Sequence, residues 1–567
     1  MNIALAQMDP ITGDFQGNLA KCLEIAQQAQ EQGAELVIFP QCALCGGVGE
    51  NIINDRSFVV HTQAALNIFA RRCPIPALIG AVGMMSDDLE DEESGAPAQD
   101  AAVPREAIFF CRDGHIAAVA DSKHLDGYLV FSYALIYCGF SSMPLSAYDD
   151  ERRHVDACFI FDDCEYRDFR SRNGGVMPEP YIDMVDFATD EGVWMVYCNA
   201  LGAQDSRVYP GGSCIIGPDG DVAYGVRFEE GILFGEICTQ APPSRFEPAR
   251  PNRLDAEEQA ASFAAAAQGG ISYPFDSDDD FALGELYQVL VMATRSYFSK
   301  NGLADCVLGV SGGIDSALVA AIACDALGPE HVHGVLMPGP YSSQGSVDDA
   351  LALAANLGFD TRTIPITPAF EALESILADP CGGAVEGLTR ENLQARIRTL
   401  YVMTLSNAHG WIMLNTGNKS ESAMGFSTLY GDTAGAIAPL GDVYKTQVYQ
   451  LAHWLNREQE IIPQAIICKV PSAELHEGQR DDDRLPPYDV LDRILHAHIE
   501  RGMDVTDIVQ NCGFEPALVK RVLATVAGAE FKRRQEPFAP EVSDYSFQER
   551  AWPITNRFRD TFLPGMD

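Results

Sequence analysis

LGVSGGIDSALVA, residues 308–320, is the stretch on which the fold of this 567-residue chain turns. Val307, Leu308 and Val310 form an apolar run, Ser311-Gly312-Gly313 follows, and a helix-like run begins at Ile314-Asp315-Ser316. Strand, glycine turn and helix N-terminus make a geometry that collects a phosphate. Glycines let the backbone approach the anion, while unpaired N–H groups and the helix dipole hold it. The spacing is neither G-x-x-x-x-G-K-[ST] nor G-x-G-x-x-G, which excludes a Walker loop and a Rossmann fingerprint. Taken alone, the hexapeptide also fits a bare glycine turn after a buried strand, so the surrounding chain has to decide.

Downstream, residues 317–327 have helical spacing and Val332 to Met337 reads as a strand. PGPYSSQGSVDDALALAANLG then leads into a second helix, and TRTIPI forms the next strand. Repeated βα units predict a doubly wound parallel sheet with ligands at the carboxyl ends of its strands, where the Ser311 loop lies. Upstream, residues 282–301 have helical spacing, and residues 239–280 are rich in Pro, Ala, Gly and acid, as a domain connection is. A chain of this length exceeds one core. The expected division is a first domain at 1–240, a linker at 241–280 and a second domain at 281–567.

The first half also reads as α/β. MNIALAQM is a buried strand, residues 19–32 are helical and ELVIFP is another strand, giving strand, helix, strand within forty residues. Residues 86–104 are acidic and aperiodic and read as a surface loop. Hairpins are expected around Asp113-Gly114 and Pro218-Asp219-Gly220.

Composition narrows the function. With 39 basic against 81 acidic residues the net charge is −42, which excludes a generally basic nucleic-acid surface. No apolar run reaches the roughly 18 residues that a membrane span needs. Met1 to Met8 lacks the basic flank of a signal peptide. Sixteen cysteines lie without metal-type pairing, Cys42 and Cys45 forming a lone C-x-x-C, so reduced thiols and a cytoplasmic location are expected. There are eight lysines, so a lysine within a motif is less readily explained as surface filler.

The SGGxDS hexapeptide resembles the pyrophosphate loop of the ATP pyrophosphatases, which cleave ATP between the α and β phosphates. From there to residue 560 the chain resembles the NAD+ synthetases. The resemblance is carried by MPGPYSSQGSVDDALALAANLG, ENLQARIRTLYVMTLSN, LNTGNKSESAMGFSTLYGD, PLGDVYKTQVYQLA, KVPSAEL, RLPPYDVLDRIL, EFKRRQEPFAP and WPITNRFRD. It implies a fold of the adenine nucleotide α-hydrolase type and an amide-forming ligase. ATP adenylates the nicotinate carboxylate of deamido-NAD+ with release of pyrophosphate, and ammonia then displaces AMP. By the same resemblance, Gly309, Ser311, Gly312, Gly313, Ile314, Asp315, Ser316, Arg398, Thr416, Lys445 and Ser472 would hold ATP. Asn392, Arg396, Glu421, Asp432 and Lys532 would meet deamido-NAD+, and Asp315 and Glu421 would hold Mg2+. Cation clamps and a metal suit the charge that spreads over phosphoryl oxygens. Pro340 departs from the small polar or basic residue usual in the GPYSSQGS loop. The family further implies a homo-oligomer formed through the synthetase domain.

Most of residues 1–240 resemble the amidase domain of the nitrilase superfamily, an αββα-layered glutaminase. MNIALAQMDPITGDFQGNLAK, ELVIFP, SKHLDGYLVF, FDDCEY and NALGAQDSRVYPGGSCIIGPDGDV carry the likeness. That family uses a thiolate to attack the amide carbon, a carboxylate to carry the proton and an ammonium to stabilise the oxyanion. Cys164 holds the nucleophile position, Lys123 the lysine position and Tyr128 a glutamine-side position. The base position holds Gln41, and a carboxamide is no base. After Lys123 the second acidic pair is replaced by Ser132 and Tyr133. Only 35 residues separate Cys164 from Asn199, so the segment that grips the glutamine α-amino and carboxylate groups is missing. The expectation is a degenerate amidase joined to a synthetase that takes ammonia. A working amidase with a displaced carboxylate, Glu50 or Glu165, is the alternative, and a non-catalytic dinucleotide-binding protein is a third.

Overall fold

The structure is a computed structural model that describes residues 1–47, 52–85, 103–122, 126–132, 134–140, 155–169, 179–238, 273–276, 279–548 and 552–555. It divides into two compact units, Met1–Glu247 and Pro248–Asp567.

In the first unit, β1 (Asn2–Gln7), β2 (Leu36–Ile38), β3 (Ala77–Met85), β4 (Val103–Arg112), β5 (His115–Asp121) and a late strand, Gly231–Glu236, form one sheet. The Gly231–Glu236 strand pairs antiparallel with β1, while β1, β2 and β3 run parallel. A second six-stranded sheet holds β6 (Asp126–Phe131), β7 (Ala134–Phe140), β8 (Ala157–Asp162) and β9 (Trp194–Asn199), with Cys214–Ile216 and Val222–Tyr224 at its other edge. Alternation along the strands explains the layering. Ile3, Leu5, Leu36, Ile38 and Leu78 pack with Ile136, Phe159, Phe161 and Val196 of the second sheet. The opposite faces of the first sheet's strands, through Ala4, Val37, Phe39 and Ile79, meet Leu19, Cys22 and Ala26 of helix Phe15–Glu31 and Phe69 of helix Arg56–Arg72. Helix Glu179–Glu191 covers the second sheet through Tyr181, Met184 and Ala188. The result is the αββα stack.

Helix Phe15–Glu31 begins four residues before the apolar spacing at Leu19, because the Asp14 carboxylate accepts from the Gly17 N–H at 2.9 Å and caps it. The first hairpin closes on Asp113 and Gly114, both left-handed (φ 52° and 81°), with Arg112 opposite His115. That is the turn which matches the twist of its strands. The stretch 86–104, read as a loop, needs one correction. Val103 and Pro104 belong to β4, opposite Met85 and Met84, and the remainder lies outside the described residues.

In the second unit, β10 (Cys306–Gly309), β11 (Val332–Leu336), β12 (Asp360–Thr363) and β13 (Ile412–Met413) pair in parallel in the spatial order β12-β11-β10-β13. The order reverses between β10 and β13, which opens a crevice at their carboxyl ends. Helix Ile314–Leu327 is buried along nearly its whole length, so its sequence reads as continuously apolar rather than striped. Among the described residues, no helix is long and apolar enough to cross a membrane.

Candidate functional site

A cleft of about 790 Å3 lies over the carboxyl ends of β10 and β13. Its floor is the Ser311 loop. Gly312 is left-handed (φ 74°), and a Cβ there would stand 2.2 Å from the backbone oxygen of Ser346. Only glycine fits where the loop touches helix Gln344–Leu357. The Ser311 hydroxyl accepts from the Gly313 N–H at 3.2 Å and lies 3.1 Å from the Ser316 hydroxyl, which donates to the Gly313 carbonyl at 3.0 Å. The turn is therefore preorganised by its own serines, and Gly313 begins helix Ile314–Leu327 without a side-chain cap. Ile314, Asp315 and Ser316 of its first turn line the cleft, so the cleft lies at a helix start, where an anion is favoured.

Two acidic side chains stand above this floor. Asp315 accepts from Asn418 Nδ2 at 3.0 Å and is paired with the Lys445 ammonium. Glu421 lies in the first turn of the helix Lys419–Met424, where a reciprocal capping box with Asn418 fixes it. Burial, and next the charge of Asp315, push the Glu421 carboxyl well above the usual carboxylate range. Burial alone would lower the Lys445 ammonium, but Asp315 and Glu421 outweigh it and hold it above the ordinary lysine value. On the opposite wall, burial lowers Arg398 to about 10, although Glu474 and Asp432 oppose the shift. Asp432 accepts from the Thr428 N–H, and burial pushes its carboxyl up.

Gly309, Ser311, Gly312, Gly313, Ile314, Asp315, Ser316, Arg398, Thr416, Glu421, Asp432, Lys445 and Ser472 all line this cleft. Asn392, Arg396 and Lys532 are not among its lining residues. Asn392 accepts from the Thr428 hydroxyl at 2.7 Å; Arg396 is exposed and donates to the Leu429 carbonyl at 3.1 Å. Lys532 donates to the Gly425 and Ser427 carbonyls at 2.7 and 2.5 Å, bracing the loop that carries Thr428 and Asp432. Sequence reading missed Asp481, Lys469 and Glu474, which also line the cleft. Asp481 sits in the run RDDDR, which looks like solvated surface, yet it is 5% exposed and its carboxyl is pushed up by burial.

Hard oxygen donors beside a phosphate loop fit a magnesium ion. Among the described residues no three acidic, histidine or cysteine side chains are placed to hold a metal by themselves. Asp315 and Glu421 supply two carboxylates, the number magnesium takes when phosphate oxygens and water complete its shell.

In the first unit, Cys164 follows β8 and is half-buried. Asn199, fully buried, accepts from its backbone N–H at 3.0 Å and donates to its carbonyl at 3.2 Å. Lys123 and Glu50 lie outside the described residues. Tyr128 is 46% exposed on β6, its ring edge-on to Tyr137. Glu165 is paired with Arg167 at 2.9 Å and Arg207 at 3.5 Å. Gln41 donates to a carboxylate that sequence reading missed, Glu106 of β4. Burial raises Glu106, the Gln41 amide opposes that shift, and the charge of Asp163 adds to it.

Comparison with known proteins agrees with this two-part construction. Residues 286–536 match the family model described as NAD synthase, and residues 2–93 the model described as carbon-nitrogen hydrolase. The chain is similar to the glutamine-dependent NAD(+) synthetases of Thermotoga maritima and of a Synechocystis species. It is 35% identical to each, over 99% of both chains for the first and 98% of this chain and 99% of the relative for the second. Among solved structures, the glutamine-dependent NAD+ synthetase of Acinetobacter baumannii in complex with adenosine diphosphate is 28% identical, with a TM-score of 0.68 and 98% of each chain covered. The Cytophaga hutchinsonii synthetase, at 15% identity, shares the fold with a TM-score of 0.75 over 98% of each chain.

Proposed function

The chain belongs to the glutamine-dependent NAD+ synthetase family, ligases that make NAD+ from deamido-NAD+ with ATP, and from that premise we propose that it draws its nitrogen from ammonia, its amidase half being degenerate. The observation that carries this reading is the pair Gln41–Glu106: a carboxamide stands in the base position and ties up the neighbouring carboxylate. The missing segment after Cys164 and the arginine-clamped Glu165 support it.

In the synthetase unit, the Ser311 loop receives the departing pyrophosphate on its backbone N–H groups and hydroxyls. Asp315 and Glu421 would hold Mg2+, which would offset phosphoryl charge when bound. Lys445 and Arg398 face the same charge, Asp432 flanks the acyl end, and Thr416 and Ser472 meet the nucleotide. The reaction is the adenylation and amidation already stated: carboxylate oxygen bonds to the α-phosphorus, pyrophosphate leaves, and nitrogen then takes the acyl carbon from AMP. Assembly of two copies through the synthetase unit belongs to this reading. Helix Gly387–His409 exposes Leu388, Leu400 (59% each) and Met403, beside Tyr430 at 68%.

Glu106 also favours a second reading, a working amidase with its base moved from the end of β2 to β4, because its raised pKa and nearness to Asp163 suit a proton carrier. Steady-state NAD+ formation with ammonium chloride and with glutamine separates these. We expect turnover with ammonium, little with glutamine, and no loss of ammonium-dependent turnover in Cys164→Ala. Equal rates from both donors at low concentration would favour the second reading. No product from either would leave a non-catalytic dinucleotide-binding protein.

A further inference from the structure

We propose that Asp492 is a positioning residue of the synthetase site: its carboxylate joins Ser420, beside Glu421, to Thr446, beside Lys445, and so sets the spacing of those two site groups. Asp492 lies on helix Tyr488–Ile499 and is fully buried. Its Oδ1 accepts from the Ser420 hydroxyl at 2.6 Å, and its Oδ2 accepts from the Thr446 N–H and the Thr446 hydroxyl, each at 2.9 Å. The Ser420 hydroxyl in turn accepts from the Lys445 N–H at 2.9 Å. These bonds close a ring through three elements. The first two N–H groups of helix Lys445–Leu455, for which a helix offers no partner of its own, are thereby held from outside it.

The ring stands directly behind the cleft. Asn418 donates to Asp315 at 3.0 Å and Glu421 lines the cleft, whereas Lys419 and Ser420, between them in sequence, are fully buried and do not line it. Lys419 fixes the other flank of the short helix Lys419–Met424. Its ammonium pairs with Asp442 and Glu500 at 3.0 Å each and donates to the Tyr545 carbonyl at 2.9 Å. Glu500 directly follows the helix that carries Asp492, so that one helix holds both buried residues. The partners of Asp492 in the ring are neutral donors. Burial pushes its carboxyl up to about 6, against the hydrogen bonds from Ser420 and Thr446, which favour the charged form. A buried carboxylate is a costly device for stability alone. What it supplies here is a pair of oxygens that accept from two site-bearing elements at once.

This inference rests on the reading that Glu421 and Lys445 act on ATP in this cleft. Steady-state NAD+ formation with ammonium chloride tests it on the full chain, in wild type, Asp492→Asn, Ser420→Ala and the double variant. Calorimetric binding of ADP in magnesium chloride and a melting curve accompany the kinetics. We expect kcat to fall by roughly tenfold or more in each single variant, the scale for residues that orient a site from behind. KM for deamido-NAD+ should stay within about twofold, and ADP should bind about tenfold more weakly. The double variant should lose no more than the weaker of the two single ones, because both break one ring. If the wild type forms no NAD+ or binds no ADP, the ATP reading fails and this inference with it. If the wild type does both, the inference alone is overturned by a single variant that keeps its kcat, even with a lowered thermal midpoint, or by losses that multiply in the double variant. Should Asp492→Asn not fold, Ser420→Ala decides by the same kcat and ADP criteria.

Discussion

Lys445 is one of eight lysines in the chain, and its side chain is 3% exposed against Asp315, with Glu421 close enough to add its charge. An ammonium in that place offsets the charge of the carboxylates beside it and would face phosphoryl charge once a nucleotide is bound. Its loss leaves two like charges buried together, and one carboxyl must then take a proton. Lys445→Met is therefore expected to lower kcat/KM for ATP by about two orders of magnitude and to lower the thermal midpoint. Steady-state kinetics and a melting curve check both, and a near wild-type kcat/KM would remove Lys445 from the site. Lys445 was legible in the sequence because PLGDVYKTQVYQLA is a contiguous block. Glu106 was not, because its significance depends on a contact with Gln41, 65 positions away, that only the sheet creates. Asp481 failed for a different reason. Its neighbours Asp482 and Asp483 make it look like a solvated acidic run, and composition cannot tell which of three aspartates turns inward.

Strand, glycine turn and helix form the element that organises the second unit, and its determinants are nearly all local. An apolar run, two glycines and a helix start within a dozen residues are enough to place it. The one non-local requirement is the contact of Gly312 with Ser346. Gly312→Ala forces a methyl group onto a backbone oxygen and an alanine into positive φ, costing about 1 kcal/mol or more from the backbone alone. The loop should shift away from helix Gln344–Leu357. ADP affinity is expected to fall by at least about tenfold, with far-ultraviolet circular dichroism unchanged, because the core of Val307, Val335 and Trp411 is untouched. Retained affinity would mean that the loop does not need this geometry. The same contrast of local with non-local signals explains the element boundaries. Helix Phe15–Glu31 was located by its apolar spacing from Leu19 onward, whereas its first turn depends on the Asp14 cap. Val103 and Pro104 joined β4 because Met85 and Met84 lie opposite them, not through any local preference.

At the scale of the whole molecule, the net charge of −42 sets the terms on which copies can meet. Two such chains repel, so assembly has to be driven by apolar surface and must weaken as salt is withdrawn. Helix Gly387–His409 offers that surface. Leu388, Arg396, Leu400 and Met403 fall within about 120° of arc at 100° per residue, and all four are exposed. An arginine on this face also reduces the repulsion from an acidic partner, which is the role open to Arg396 if it does not enter its own cleft. The chain should therefore be dimeric at 500 mM potassium chloride and shift toward monomer at roughly 20 mM, where the screening length grows to about 20 Å. Leu400→Glu adds charge to this face and should be monomeric at both. Sedimentation velocity at the two salt concentrations measures this. A Leu400→Glu variant that stays dimeric would place the interface elsewhere. A wild type that associates more strongly at low salt would show that complementary charge, rather than buried apolar area, holds the copies together.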